Sequence, residues 1–92
     1  MMAVHPGRVL RREMAARGLS ANALALALRT PSGRVTDILN GKRGVSPETA
    51  MRLARYFGNS ARFWLNLQTA YELALAECEL GEKIAAEVSP AA

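Results

Sequence analysis

The stretch Leu19–Arg43, LSANALALALRTPSGRVTDILNGKR, restricts the fold more than any other part of the chain. It reads as two short helices joined by a tight turn, with a basic pair after the second. Ser20 can cap the first helix. Thr30 before Pro31 can open the second, because proline suits the first helical position and a hydroxyl accepts an orphan N–H. Ala25 is small where two helices must approach closely. Val35, Ile38 and Leu39 fall on one side of the second helix; Ser32, Arg34, Thr36 and Asp37 fall mostly off it. Asn40-Gly41 ends that helix, since glycine enters the left-handed region without a Cβ penalty. A short helix with an apolar back and a front of small polar groups fits the DNA major groove.

The apolar spacing predicts an all-α chain of five helices, with no strand pattern, internal repeat or low-complexity block. The first runs from near Pro6 to Gly18, with Val9, Leu10 and Met14 inward. The second covers about Ala21 to Leu28, with Leu24, Ala25 and Leu28 inward. The third covers about Pro31 to Asn40. The fourth opens on Ser46-Pro47-Glu48, a cap, a first-position proline and an acid suited to the helix dipole. Its set Ala50, Leu53, Ala54 and Phe57 repeats at i, i+3, i+4, i+7, and Gly58 stops it. Ser60 caps a long fifth helix from about Ala61 to Glu79. The expected organisation is one domain over residues 1–80, closed by a dimerisation helix, with a flexible acidic tail over 81–92.

The fifth helix carries two apolar stripes, nearly opposite each other. Trp64, Leu67, Tyr71, Leu75 and Cys78 form one; Leu65, Leu73, Ala76 and Leu80 form the other. One can cover the four-helix body. The other needs a second molecule, which makes Leu65, Leu73, Ala76 and Leu80 the expected dimer or partner interface.

Charge is divided along the chain. Residues 1–62 hold eleven basic and three acidic side chains, a net +8; from Phe63 onward one lysine faces five glutamates, a net −4. A basic body with an acidic end suits one polyanionic partner and one basic partner. Catalytic chemistry finds little footing. His5 is the only histidine and sits where it can help start the first helix, so no histidine-based metal cluster is expected. Cys78, the only cysteine, excludes an intrachain disulfide and reads as a small buried hydrophobe. Glu77 and Glu79 point to different sides of their helix. Pro31-Ser32-Gly33 lacks the spacing and lysine of a phosphate-binding loop. The expectation is a cytoplasmic binding protein rather than an enzyme, without cofactor, metal or membrane span.

Position assigns roles for binding double-stranded DNA. Ser32, Gly33, Arg34, Thr36 and Asp37 occupy the front and first turns of the third helix. Arg34 can fork onto guanine O6 and N7, Asp37 can accept from a cytosine amine or orient Arg34, and Thr36 can touch a thymine methyl. Gly33 permits close backbone approach. Asn22 can reach a phosphate beside the free N–H groups of the second helix, and Asn40, Lys42 and Arg43 can grip phosphate after the third. Arg34 and Asp37 can also pair with each other at i, i+3. Arg52 and Arg55 read as solvated surface.

Several segments agree in order and spacing with one family. They are His5-Pro6-Gly7-Arg8-Val9-Leu10, Leu19–Ala25, Val35–Arg43, Ser46-Pro47-Glu48-Thr49-Ala50, Arg52–Gly58 and, most telling, Phe63-Trp64-Leu65-Asn66-Leu67-Gln68. From His5 to about Glu77 the chain resembles the HigA family of type II antitoxins, in the Xre/lambda-repressor-like helix-turn-helix class. The resemblance implies a five-helix lambda-repressor-like domain that forms a homodimer and represses its own operon by binding the operator. It also implies a HigB-like toxin as partner, a small basic ribonuclease that cleaves messenger RNA on the ribosome. The acidic end of the chain is the expected meeting place for that toxin. One departure stands out: Arg29 occupies the turn where the family usually has glycine or a similarly permissive residue. Alanines also fill places in the second helix where longer polar residues are common. Two alternatives are a stand-alone phage-type repressor without a toxin and a helical scaffold that binds only protein.

Overall fold

The computed structural model describes residues 4–91. Five helices follow in order: α1 (Pro6–Arg17), α2 (Ala21–Leu28), α3 (Ser32–Leu39), α4 (Pro47–Phe57) and α5 (Ala61–Glu87). The first four and the start of α5 form the body. The distal part of α5 projects from it, which stretches the molecule to 52 × 22 × 22 Å. Among the described residues no helix is long and apolar enough to cross a membrane, and no group of His, Cys, Asp or Glu is placed to hold a metal ion.

Helix starts follow local chemistry. The hydroxyls of Ser20, Ser46 and Ser60 accept from the N–H groups of Ala23, Thr49 and Phe63, each satisfying an orphan donor of the first turn. His5 caps α1, its Nδ1 accepting from Gly7 N–H at 2.9 Å. The start of α3 departs from expectation. Pro31 is the N-cap and makes no side-chain cap bond, so Thr30 stands one residue too early to serve. Its hydroxyl is buried without a hydrogen-bond partner.

The core joins Leu10 and Met14 of α1, Leu24, Ala25 and Leu28 of α2, and Val35 and Ile38 of α3 to Ala50 and Leu53 of α4. Val45 and Trp64 complete it. Trp64 lies under the body, and its indole N–H donates to Asn59 Oδ1 at 2.8 Å. α1 seats on the C-terminal end of α3 at Gly7, where any Cβ would strike the Ile38 carbonyl. The ends of α1 and α4 are tied by the Arg17 guanidinium, which lies over the Phe57 ring at 4.8 Å and also pairs with Glu13.

α5 corrects two expectations. It does not stop at Glu79 but continues through Gly81 to Glu87. One glycine costs a helix only about 1 kcal/mol, and the alanine-rich turns that follow, with Lys83 paired to Glu87, carry the helix past it. The body also covers less of the first stripe than its spacing suggests. Trp64 and Leu67 join the core, but Leu75 is 46% exposed and Cys78 is exposed rather than buried. On the second stripe Leu65 packs partly against the core, whereas Leu73 and Leu80 are 55% and 43% exposed and Ala76 is exposed. The four-helix body is shorter than α5, so both stripes run beyond it.

Candidate nucleic-acid interface

The turn between α2 and α3 is fixed by backbone and side chain together. Arg29 takes the left-handed conformation (φ 59°), the one residue other than glycine with positive φ among those described. Its N–H donates to Leu26 O, and Thr30 N–H reaches back to Ala25 O at 3.0 Å, so the last carbonyls of α2 are satisfied. Arg52 secures the same end from α4. Its Nη1 donates to Leu28 O at 2.9 Å and its Nε to Glu48 Oε2 at 3.1 Å. Arg52 is therefore an anchor of the turn and not merely solvated surface. Leu28 and Arg52 lie too far apart in sequence, with no shared period, for the bond to be read in advance.

A left-handed arginine is strained. Arg29→Gly is expected to raise the unfolding free energy by roughly 1 kcal/mol, because an L side chain in this region crowds the following carbonyl. Urea unfolding followed by circular dichroism measures it. A destabilised glycine variant would show that the Arg29 side chain contributes more than its backbone costs.

α3 turns Val35 and Ile38 into the core and rests Leu39 partly on it. Ser32, Gly33 and Thr36 are exposed on the other side, and Arg34 and Asp37 are half-buried at its edge. Arg34 and Asp37 do not pair; the ion pairs among the described residues are Glu13–Arg17, Glu48–Arg52 and Lys83–Glu87. The Arg34 guanidinium is thus free of its i+3 neighbour. Asn22 is exposed on the first turn of α2, within the segment that Ser20 caps.

After α3 the chain folds back tightly. Gly41 (φ 73°) makes the turn, Lys42 N–H donates to Asp37 O at 2.8 Å, and Arg43 N–H to the same carbonyl at 3.2 Å. Two backbone bonds to one carbonyl hold this basic segment against the end of α3, while Asn40, Lys42 and Arg43 remain exposed. The next residues are fastened to α5. Val45 N–H donates to Gln68 Oε1 at 2.8 Å, and Gly44 lies so close to the Gln68 amide that a Cβ would overlap it. Periodicity gives no sign of this role for Gln68, since an amide on a helix carries no local mark of a backbone partner far back in the chain.

The structure thus presents α3 and the segment 40–43 as one fixed surface, with Asn22 on the neighbouring α2. Small polar groups, exposed backbone and unpaired cations lie along it, in a body whose first 62 residues carry net +8. Such a surface can offer hydrogen bonds to base edges and charge to phosphates.

Known proteins share both the sequence and this geometry. A helix-turn-helix domain family matches residues 7–62. Virulence-associated protein I of Dichelobacter nodosus is 51% identical over 78 residues, covering 84% of this chain and 72% of that protein. An addiction module antidote protein of a HigA family from Coxiella burnetii superposes with a TM-score of 0.95 at 47% identity, over 99% of this chain and 100% of that one. The Pseudomonas aeruginosa antitoxin HigA, solved with the higBA promoter, gives a TM-score of 0.95 at 43% identity over 98% and 99% of the two chains. Agreement over the full length, including the projecting α5, goes beyond a shared helix-turn-helix unit: the chain belongs to the HigA family of addiction-module antidote proteins.

Proposed function

We propose that this protein is the antitoxin of a type II toxin–antitoxin pair. It acts as a homodimer in the cytoplasm, binds the operator of its own operon through α3, represses transcription, and neutralises a HigB-like messenger-RNA-cleaving ribonuclease. Its chemistry is binding, not catalysis. The observation that carries the reading is the exposed polar face of α3 with a basic segment bonded to its C-terminal end. The P. aeruginosa antitoxin solved with its promoter has this fold throughout, which supports a DNA-facing role for the same surface here.

Roles on this surface follow from position. Ser32, Gly33, Arg34, Thr36 and Asp37 face base edges in the major groove. Asn22, Asn40, Lys42 and Arg43 hold phosphates and set the register. Two protomers place their α3 helices about one helical turn of DNA apart. Leu73, Ala76 and Leu80, with Leu65 nearer the body, form the outer ridge of α5 for partner-protein contact.

The test is titration of a duplex from upstream of the protein's own gene, repeated between about 50 and 200 mM salt. Affinity is expected to fall by several orders of magnitude across that range if six or more phosphates are neutralised. A flat response would leave a protein-binding scaffold as the reading. Co-expression with the neighbouring gene product completes the test. Operator binding without a toxin complex would reduce the function to stand-alone repression.

A further inference from the structure

α2 and α4 leave an open groove between them. It encloses about 560 Å³ and follows α4 from Glu48 to Tyr56, a rise of about 12 Å. Its apolar lining includes Ala27 of α2 and Met51 and Tyr56 of α4. Met51 is 65% exposed and Tyr56 42%. Single apolar side chains in water are ordinary, but these share one groove with three arginines. Arg29, Arg52 and Arg55 all line it, and Glu48 is the one acid among its lining residues. Arg52 takes that acid, Nε to Oε2 at 3.1 Å, and is itself fixed to the Leu28 carbonyl. Arg29 and Arg55 are exposed and have no ion-pair partner among the described residues.

Arg29 also carries its side chain on left-handed backbone, φ 59°, where glycine would sit without penalty. Strained residues gather at sites that clasp a ligand. Two free guanidiniums beside exposed apolar side chains suit a ligand that is negative at its edges and apolar along its middle. A phosphate backbone answers the charge but gains nothing from Met51 and Tyr56. A basic protein is repelled, which keeps the toxin proposed above out of this groove. We propose that the α2–α4 groove receives an acidic amphipathic helix of a partner protein. The helix lays its apolar side chains on Ala27, Met51 and Tyr56, and its carboxylates meet Arg29 and Arg55, whose planar forks match them. The groove is long enough for about two helical turns, which carry anchors at i, i+3 or i+4, and i+7. Arg29 stands three residues before Ser32, the first of α3, so the docked helix adjoins the proposed DNA-facing surface without using its residues. The contact depends on neither operator nor toxin.

The probe is a fluorescein-labelled helical peptide of Glu, Gln and Ala with Leu at i, i+3, i+4 and i+7, titrated against the full chain by anisotropy. It is expected to bind with a dissociation constant of about 100 μM or below, and to move the NMR amide signals of Ala27, Arg29, Met51 and Tyr56. Peptides with every Leu replaced by Gln, or every Glu by Lys, are expected to bind at least about tenfold more weakly. Arg29→Gly with Arg55→Ala, or Met51→Asp alone, is expected to weaken the acidic peptide by roughly tenfold, with circular dichroism confirming the fold. All of these side chains are exposed, so the variants leave the core intact. No binding up to about 1 mM overturns the proposal. So does a Leu-free peptide that binds as well, which marks surface charge alone, or affinity that survives both variants. Arg29→Gly, Arg55→Ala that keeps the peptide but loses duplex affinity at every sequence also overturns it, and gives these arginines to phosphate.

Discussion

Replacing Trp64 with alanine is expected to lower the unfolding free energy by about 3–5 kcal/mol, the usual range for truncating a fully buried aromatic side chain. Trp64 is the largest fully buried residue in the structure and the only tryptophan in the chain. Its ring meets Phe63 edge-on at 5.2 Å and lies 6.0 Å from Phe57 at a tilt. The substitution empties the space between α4 and the start of α5 and also strands Asn59 Oδ1, which accepts from the indole at 2.8 Å. A loss of that size is a large part of the roughly 5–15 kcal/mol that holds an ordinary domain together. Urea unfolding monitored by circular dichroism measures it. A loss below about 1 kcal/mol would mean that the body holds together without α5.

Arg34→Ala carries the second large effect. It is expected to weaken operator binding by about 1–3 kcal/mol and to relax preference at one base pair, because a guanidinium that forks onto guanine discriminates one base from the others. The structure favours this over a purely structural role for Arg34, since the side chain makes no ion pair with Asp37 and stands at the edge of the exposed face of α3. Lys42→Ala is the contrast. It should weaken all sequences alike and reduce the salt slope by about one, as expected for a phosphate contact. Titrations against operators varied one base pair at a time separate the two. Unchanged base preference in Arg34→Ala would transfer the reading of that position to another residue.

The parts of the fold legible in sequence are those written in neighbouring residues. Serine caps at 20, 46 and 60, glycine stops at 18 and 58, and the inward residues of α1, α2 and α4 all depend on spacing within a few turns. Gly81 misled for the same local reason: glycine often ends a helix, but only where the chain must turn. Thr30 misled because Pro31 shifts the start of α3 by one residue. Cys78 and Leu75 misled because periodicity gives the direction of a side chain and not the length of the body beneath it.

What sequence could not give are bonds between distant partners. Arg52 to Leu28 and Gln68 to Val45 join residues whose types have many other uses. The candidate surface divides in the same way. The polar face of α3 is plain from a period of 3.6, whereas the two hydrogen bonds from Lys42 and Arg43 N–H to the Asp37 carbonyl appear only once the turn at Gly41 is seen in space. Arg29 lies between these cases: its position in the turn was readable, and its left-handed backbone shows that the turn keeps its shape without glycine.

None of the apolar residues of α5 beyond Leu67 joins the core. A helical segment of this reach without tertiary packing is close to balance between coil and order in water, so the last turns of α5 are expected to exchange amide hydrogen sooner than the body. Whatever settles there must also supply the free energy that freezes those turns. Affinity at that end is therefore graded by backbone propensity as well as by touch: Ala85 and Ala86 ease the ordering, and Gly81 sets a soft joint in its middle.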